Sequence, residues 1–537
     1  MKKQQRIMVR ILTIVLCAAL LMPLLPMNAK AVTPGQAGAV GIDVSKYQGN
    51  VDWNAVRNSG VTFAFIKAYS SYSGVDPYFA RNITGANAAG IRTGVYVYSY
   101  ATTVEEAVAE ANAVIGILQN YTVTFPVAID IEDSSQKHLS PEQLAAIANA
   151  FCATVENAGY YPMVYASKYW FENRIAPVAY DVWVAQYAAE CEYPGIPSFW
   201  QYSNTGSIPG IAGAVDMNYQ YRDYSFIVAN GFSQRGGNTY FYRNYRWQRG
   251  WIDYNGARYY CDVTGVMRTG WIDLGGAIYY LGEDGVMSTG LRPVGDAIYY
   301  FGTDGIRKSG LFEIEGQHYL FDAEGKMFTG WHITPEGTYY FSEIDGHMMK
   351  GWYAENGKMY FFDEMGHMVV GFREIDGFKY YFSIDGTLQT GWLNLNEGTF
   401  YMNEGGQMYY GWLALPDGIY YLDPENGNMH RGWLSAGGNT WFFDLATGKM
   451  QTGWVAVGEN MYYFNPDGTL FKGVYADAGG IKYCDPTDGH LVVGFVEIGG
   501  NTFFFDPANG GYMLINTTVT IGEQVFLIDA NGFVVGM

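Results

Sequence analysis

The chain has 537 residues, with 32 basic against 52 acidic side chains, a net charge of −20, 17% aromatic residues and five cysteines. A surface this acidic repels nucleic acid and anionic polymers, so a partner in an anionic cell wall must be held through cationic groups or neutral sugar. No C-x-x-C or Cys/His cluster has metal-ligand spacing, so neither a metal nor a cofactor is expected.

The first residues carry Lys2, Lys3, Arg6 and Arg10, then the apolar run Ile11 to Leu25, then Ala29-Lys30-Ala31. This is the layout of a secretory signal peptide spanning residues 1–31, with cleavage expected after Ala31. Pro23 and Pro26 interrupt the apolar run short of a membrane span, and Cys17 lacks the small neighbour that lipid attachment needs. The expectation is a secreted, cell-wall-associated protein of Gram-positive type with no membrane segment after processing. Of the remaining cysteines, Cys261 and Cys484 stand where neighbouring repeats carry Phe or Leu and read as core fillers, while Cys152 and Cys191 are a possible disulfide pair.

Through residues 38–222, β-rich runs alternate with amphipathic helical stretches, the pattern of parallel βαβ units. Strands are predicted at 41–45, 62–69, 93–100, 125–132, 163–167, 181–187, 199–203 and 214–220, and helices at 53–59, 77–89, 104–119, 141–158 and 168–175. Ser140, Pro141 and Gln143 mark the start of the fourth helix as a capping box. After the fifth helix the spacing is too tight for full helices. The fold class is therefore α/β, an irregular (β/α)5(β)3 barrel related to the TIM barrel.

Chemistry in such barrels sits at the C-terminal ends of the strands. The run Pro126 to Asp133 ends in carboxylates, and on a strand Asp130 and Glu132 point the same way with Cα atoms about 6.5–7 Å apart. Two acids sharing a pocket suit glycoside hydrolysis, in which one carboxyl donates a proton while the other is ionised. Other strand ends bring Asp43, then Lys67 and Tyr69, then Tyr98, and finally Trp200, Gln201, Asp216 and Asn218. Tyr165 and Gln186 complete the candidate sugar-binding set. A buried Asp at a strand end can also be a structural hydrogen-bond acceptor, the competing reading for Asp43 and Asp216.

Four motifs in order, Gly41-Ile42-Asp43-Val44-Ser45 with Tyr47-Gln48-Gly49, Asp130-Ile131-Glu132, Phe199 to Ser203, and Val215 to Asn218, resemble the family 25 glycoside hydrolases, the Chalaropsis-type lysozymes. The resemblance implies cleavage of the β-1,4 bond between N-acetylmuramic acid and N-acetylglucosamine in peptidoglycan. It implies Glu132 as proton donor, Asp130 as nucleophile or as the group orienting the substrate acetamido, and Asp43 and Asp216 as the rest of the acidic site. Two departures stand out: Lys67-Ala68-Tyr69-Ser70-Ser71 has no acid where many members do, and Val97 replaces a common His. Both read as changes in substrate contacts.

Residues 223–236 read as a linker. From 237 to 537 a period of 20 or 21 residues sets in, with Gly starts at 250, 270, 290, 310, 330, 351, 371, 391, 411, 432, 453, 473 and 494. Each unit is a Gly-punctuated pair of short strands that cannot bury its aromatic face alone, so an all-β hairpin-repeat solenoid follows, with incomplete end units. The units resemble cell-wall-binding, choline-binding repeats. The first-position residues Trp251, Trp271, Trp331, Trp352, Trp392, Trp412, Trp433 and Trp454 are the ligand-contact candidates. The resemblance implies a choline cage completed by a second Trp, which this chain lacks; Arg258, Lys379 and Lys482 are read at that place and would repel choline.

The resulting reading is a secreted peptidoglycan hydrolase whose repeats hold wall glycan or choline-bearing teichoic acid. The alternatives are a non-catalytic wall-binding surface protein and a glycosidase acting on another amino-sugar polymer.

Overall fold

A computed structural model describes residues 31–536; the expected signal segment up to Lys30 lies outside the described residues. The chain forms two compact units that divide between Lys308 and Ser309.

The first unit opens with a closed barrel of β1 (Ala39–Val44), β2 (Phe63–Ser70), β3 (Arg92–Tyr98), β4 (Val127–Asp130), β5 (Pro162–Ser167), β6 (Asp181–Ala185), β7 (Phe199–Gly206) and β8 (Val215–Gln220). Strands β1 to β7 run parallel, and β8 is antiparallel to both β7 and β1, which closes the ring. Five helices follow the first five strands: α1 (Trp53–Asn58), α2 (Phe79–Ala88), α3 (Val104–Leu118), α4 (Pro141–Asn157) and α5 (Lys168–Asn173). Asp52 caps α1, and capping boxes start α3 at Thr103 and α4 at Ser140, so orphan amides at these helix starts find side-chain acceptors. The helices bury one stripe each, including Val56, Ile83, Val114 and Phe151, against the outer faces of the strands.

Inside, Phe63, Phe65, Phe125 and Phe199 fill the barrel. Gly41 and Gly94 make this possible: a Cβ at Gly41 would lie 2.3 Å from the Phe63 ring, and one at Gly94 2.5 Å from the Phe65 ring. Tyr224 stacks on Phe199 at 5.3 Å and joins this inner cluster. Residues 223–236 are thus not a free linker. Tyr224 and Ile227 are buried, and Asn230–Arg235 forms β9, which pairs with β10 (Asn238–Arg243) and through it with β11 (Arg246–Trp247).

Two further expectations change. Strand β4 ends at Asp130, not Glu132, because Asp133 leaves the ladder to cap the turn Ser134–Gln136, accepting from the Ser135 N–H at 2.8 Å. Cys152 and Cys191 are both buried and unpaired: Cys152 packs from α4 into the outer core, Cys191 into a separate cluster with Val32 and Trp200.

Three hairpins start at Gly250, Gly270 and Gly290 in the first unit, and ten, from Gly310 to Gly494, follow in the second. Asn255 and Gly256 both have positive φ, the backbone of a type I′ hairpin turn. Within each unit the chain after a second strand docks on an earlier hairpin: the Met287 N–H donates to Arg258 O in the first unit, and those of Met368, Met429 and Leu491 donate to Thr338 O, Thr399 O and Met461 O in the second. Stability therefore comes from neighbour-to-neighbour contacts. A three-stranded sheet over Thr517–Gly536 ends the second unit.

Candidate active site

The C-terminal ends of the parallel strands, with the N-terminal end of the antiparallel β8, open into a cleft of about 430 Å³ lined by Asp43, Val44, Ser45, Tyr47, Gln48, Lys67, Tyr96, Tyr98, Tyr100, Asp130, Tyr165, Trp183, Tyr187, Gln201 and Asp216. Three of the four predicted acids thus meet in one place. Asp43 and Asp216 are paired across the β1–β8 ladder, and Asp130 ends β4.

Asp43 is buried and accepts at Oδ1 from the Gln201 side-chain amide at 2.9 Å and from that of Asn218 at 2.8 Å. Burial and the adjacent Asp216 nevertheless raise its carboxyl to about 8. Burial also raises Asp216. Asp130 is pushed well above the carboxylate range, first by burial and then by Glu132, with Lys67 opposing; its Oδ1 is buried without a hydrogen-bond partner. Glu132, two residues past the end of Asp130's strand, is half-buried, and its Oε2 accepts from the Ser167 N–H at 2.9 Å. It stands beside the cleft, and its charge raises three residues that line it, Asp130, Tyr165 and Tyr187.

Gln201 is the hub of the polar floor. Its amide donates to Asp43 while its Oε1 accepts from the hydroxyls of Tyr165 at 2.9 Å and Tyr187 at 3.1 Å. Asn218 is fully buried and reaches no open cleft surface; its Oδ1 accepts from Trp183 Nε1 at 2.7 Å. Lys67 lies with its ammonium 4.9 Å from the centre of the Tyr98 ring. The Tyr98 hydroxyl donates to Asp133 at 3.1 Å.

Three sugar-contact expectations are corrected. Trp200 is 0% exposed, packs outside the barrel and donates from Nε1 to Gln186 O at 2.7 Å. Neighbours on a strand face opposite ways, so Trp200 and Gln201 cannot share the cleft. Tyr69 misses it because a β-bulge between Lys67 and Tyr69 turns the ring toward the helix layer. Gln186 lies beyond β6 and ties Glu192, donating to its carboxylate at 3.2 Å and accepting from its N–H at 2.8 Å. Val97 also faces the helix layer, so the absent His changes no cleft contact through that position.

Cleft aromatics that sequence reading missed include Tyr96, Tyr187 and Trp183, the last stacked on Phe65 at 4.3 Å. Alternation along Asp181–Tyr187 carries the signal: Trp183 and Ala185 both join the cluster that fills the barrel.

In the repeats, each of seven first-position Trp residues meets an aromatic ring of the next hairpin at 4.7–5.1 Å, as in Trp251–Tyr279, Trp271–Tyr299, Trp331–Tyr360, Trp352–Tyr380, Trp392–Tyr420, Trp412–Trp441 and Trp433–Tyr462. They remain accessible, with Trp271 41% exposed. Trp454 differs. The strand register pairs Tyr475 with Lys482, as it pairs Val455 with Tyr462, so Lys482 stands at the next-hairpin aromatic position and Ile481, not Lys482, at the place of the missing second Trp.

The sequence pattern described as Glycosyl hydrolases family 25 matches residues 42–211, and that described as "Putative cell wall binding repeat" matches residues 250–267, 269–287 and 452–470. The chain is 32% identical over 188 residues to the uncharacterized protein YegX of Escherichia coli K12, covering 33% of this chain and 68% of that protein. It is 31% identical over 202 residues to Lysozyme M1 of Streptomyces globisporus, covering 34% and 67%. With N,O-diacetylmuramidase of Arthroderma benhamiae it shares 30% identity over 191 residues, covering 32% and 79%. An eight-stranded barrel with acids clustered at its strand ends, this family pattern and these relatives together place the chain in glycosyl hydrolase family 25, with cell wall binding repeats following the barrel.

Proposed function

We propose that the protein is an exported N-acetylmuramidase that cleaves the β-1,4 bond between N-acetylmuramic acid and N-acetylglucosamine in peptidoglycan. The observation that carries this reading is the convergence of Asp43, Asp130 and Asp216 with Tyr and Trp faces in one open cleft. Aromatic faces stack on the apolar sides of pyranose rings while acids reach the glycosidic oxygen. The relatives named lysozyme and diacetylmuramidase support it.

In this reading Glu132 donates its proton to the leaving glycosidic oxygen as the C–O bond breaks and positive charge develops at the anomeric carbon; water then adds at that carbon and its proton returns to the Glu132 carboxylate. Asp130 has an oxygen without a partner. Its carboxyl lines the cleft and suits the substrate acetamido N–H; attack by the ionised carboxylate as nucleophile is the other role for this residue. Asp43 and Asp216, with Gln201 and Asn218 fixing Asp43, hold the sugar beside them.

The repeats keep the barrel at the wall. A tethered enzyme samples nearby strands at high effective concentration without altered chemistry. Their partners are wall polymers, either glycan or choline-bearing teichoic acid, met through the accessible first-position Trp faces. Mass spectrometry of fragments released from purified walls tests the bond: a muramic acid reducing end supports this specificity, and a glucosamine reducing end overturns it.

A further inference from the structure

Among the hairpins of the second unit, the step from Gly453–Phe464 to Gly473–Cys484 breaks the aromatic pattern. The first-position Trp454 meets no ring at the equivalent place on the next hairpin; Lys482 stands there. Its Nζ lies 4.5 Å from the centre of the Trp454 ring and 4.2 Å from that of Tyr512, so the ammonium is sandwiched between two π faces. Lys482 is only 9% exposed, and among the described residues it makes no ion pair. With no carboxylate partner, the charge is stabilised by the ring quadrupoles, which act at this range.

The second wall of the sandwich is built in. Tyr512 donates its hydroxyl to the Asp477 carboxylate at 3.1 Å. Its ring occupies space that only glycine leaves free: a Cβ at Gly479 would lie 2.4 Å from the Tyr512 hydroxyl, and one at Gly480 3.2 Å from its ring. By contrast, Arg258 and Lys379 each lie over one ring, Trp251 at 5.1 Å and Phe372 at 4.9 Å, and remain more open to solvent. Two aromatic faces around an ammonium are the arrangement that also receives a quaternary ammonium ligand.

We propose that Lys482 is the resident cation of an aromatic cage formed by Trp454 and Tyr512, and that it closes this cage to quaternary ammonium groups, choline among them. The side chain acts as a tethered ligand, so a free cation must compete with one covalently held in place. Any choline the array takes must then enter at other hairpins.

The test uses the full chain, wild type and the variants Lys482→Ala and Lys482→Met, titrated with choline chloride by calorimetry and tryptophan fluorescence. Each variant is expected to bind one more choline per chain than wild type, and Tyr512→Ala in the Lys482→Ala background should abolish that added site. Equal stoichiometry in all three proteins overturns the proposal. A measurement on wild type alone covers the case in which the variants fold poorly. Under limiting acetic anhydride, Lys482 should be acetylated several-fold more slowly than Lys472, and equal rates overturn the proposal as well.

Discussion

Asp43 and Asp216 are directly opposed partners across the antiparallel β1–β8 ladder, two carboxylates at the strand ends where the barrel closes. Burial disfavours the ionised form of Asp43, and the like charge directly opposite on the ladder adds to the penalty. Asp43 accordingly keeps its proton to about 8.

The sign of the resulting pH dependence follows from that shift. The folded state binds the Asp43 proton more tightly than the unfolded chain, whose Asp titrates near about 4. The stabilisation from this proton is full below that value and is lost as pH rises through about 8. Asp43→Asn should flatten the decline in melting temperature between acidic and mildly alkaline pH while lowering wall-degrading activity. Parallel melting curves for variant and wild type across that range would contradict it.

Glu132→Gln preserves shape and removes the transferable proton. Turnover on purified peptidoglycan is expected to fall by about 10²-fold or more, with an unchanged circular dichroism spectrum. Activity within a few-fold of wild type would remove Glu132 from the donor role.

Asn218 links Trp183 to Asp43 from a fully buried position. Asn218→Leu leaves the indole N–H unpartnered and strips one donor from Asp43. It should destabilise the barrel by about 1–3 kcal/mol, measured by urea denaturation. The catalytic pH profile should shift as well, a change that a purely structural role would not produce.

Trp200 gives the contrasting expectation. Trp200→Phe loses the bond to Gln186 O outside the barrel and should cost about 1–3 kcal/mol of stability. KM for soluble wall fragments should stay at its wild-type value, whereas Trp183→Ala, which removes a cleft wall, should raise it. A raised KM for Trp200→Phe in fully folded protein would return Trp200 to the cleft.

The sequence by itself determined the barrel's strands and helices, the acids at their ends and the hairpin period, because each rests on local rules. Apolar alternation marks a strand, Ser140 with Gln143 marks a helix start, and a Gly every 20 or 21 residues marks a hairpin. Only the tertiary structure decided which strand-end side chains enter the cleft. The bulge after Lys67 turns Tyr69 outward, and the inward placing of Phe199 and Gln201 forces Trp200 out. Asp43 and Asp216 lie far apart in sequence and meet because closure of the ring sets their register. Lys482 is a different case, because spacing alone corrects its placement: Ile481 follows Gly473 at the same interval as Met461 follows Gly453, and the ladder pairs Ile481 with Ala476 as it pairs Met461 with Ala456. Side-chain direction depends on register, bulges and closure, and those are set by contacts between residues distant along the chain.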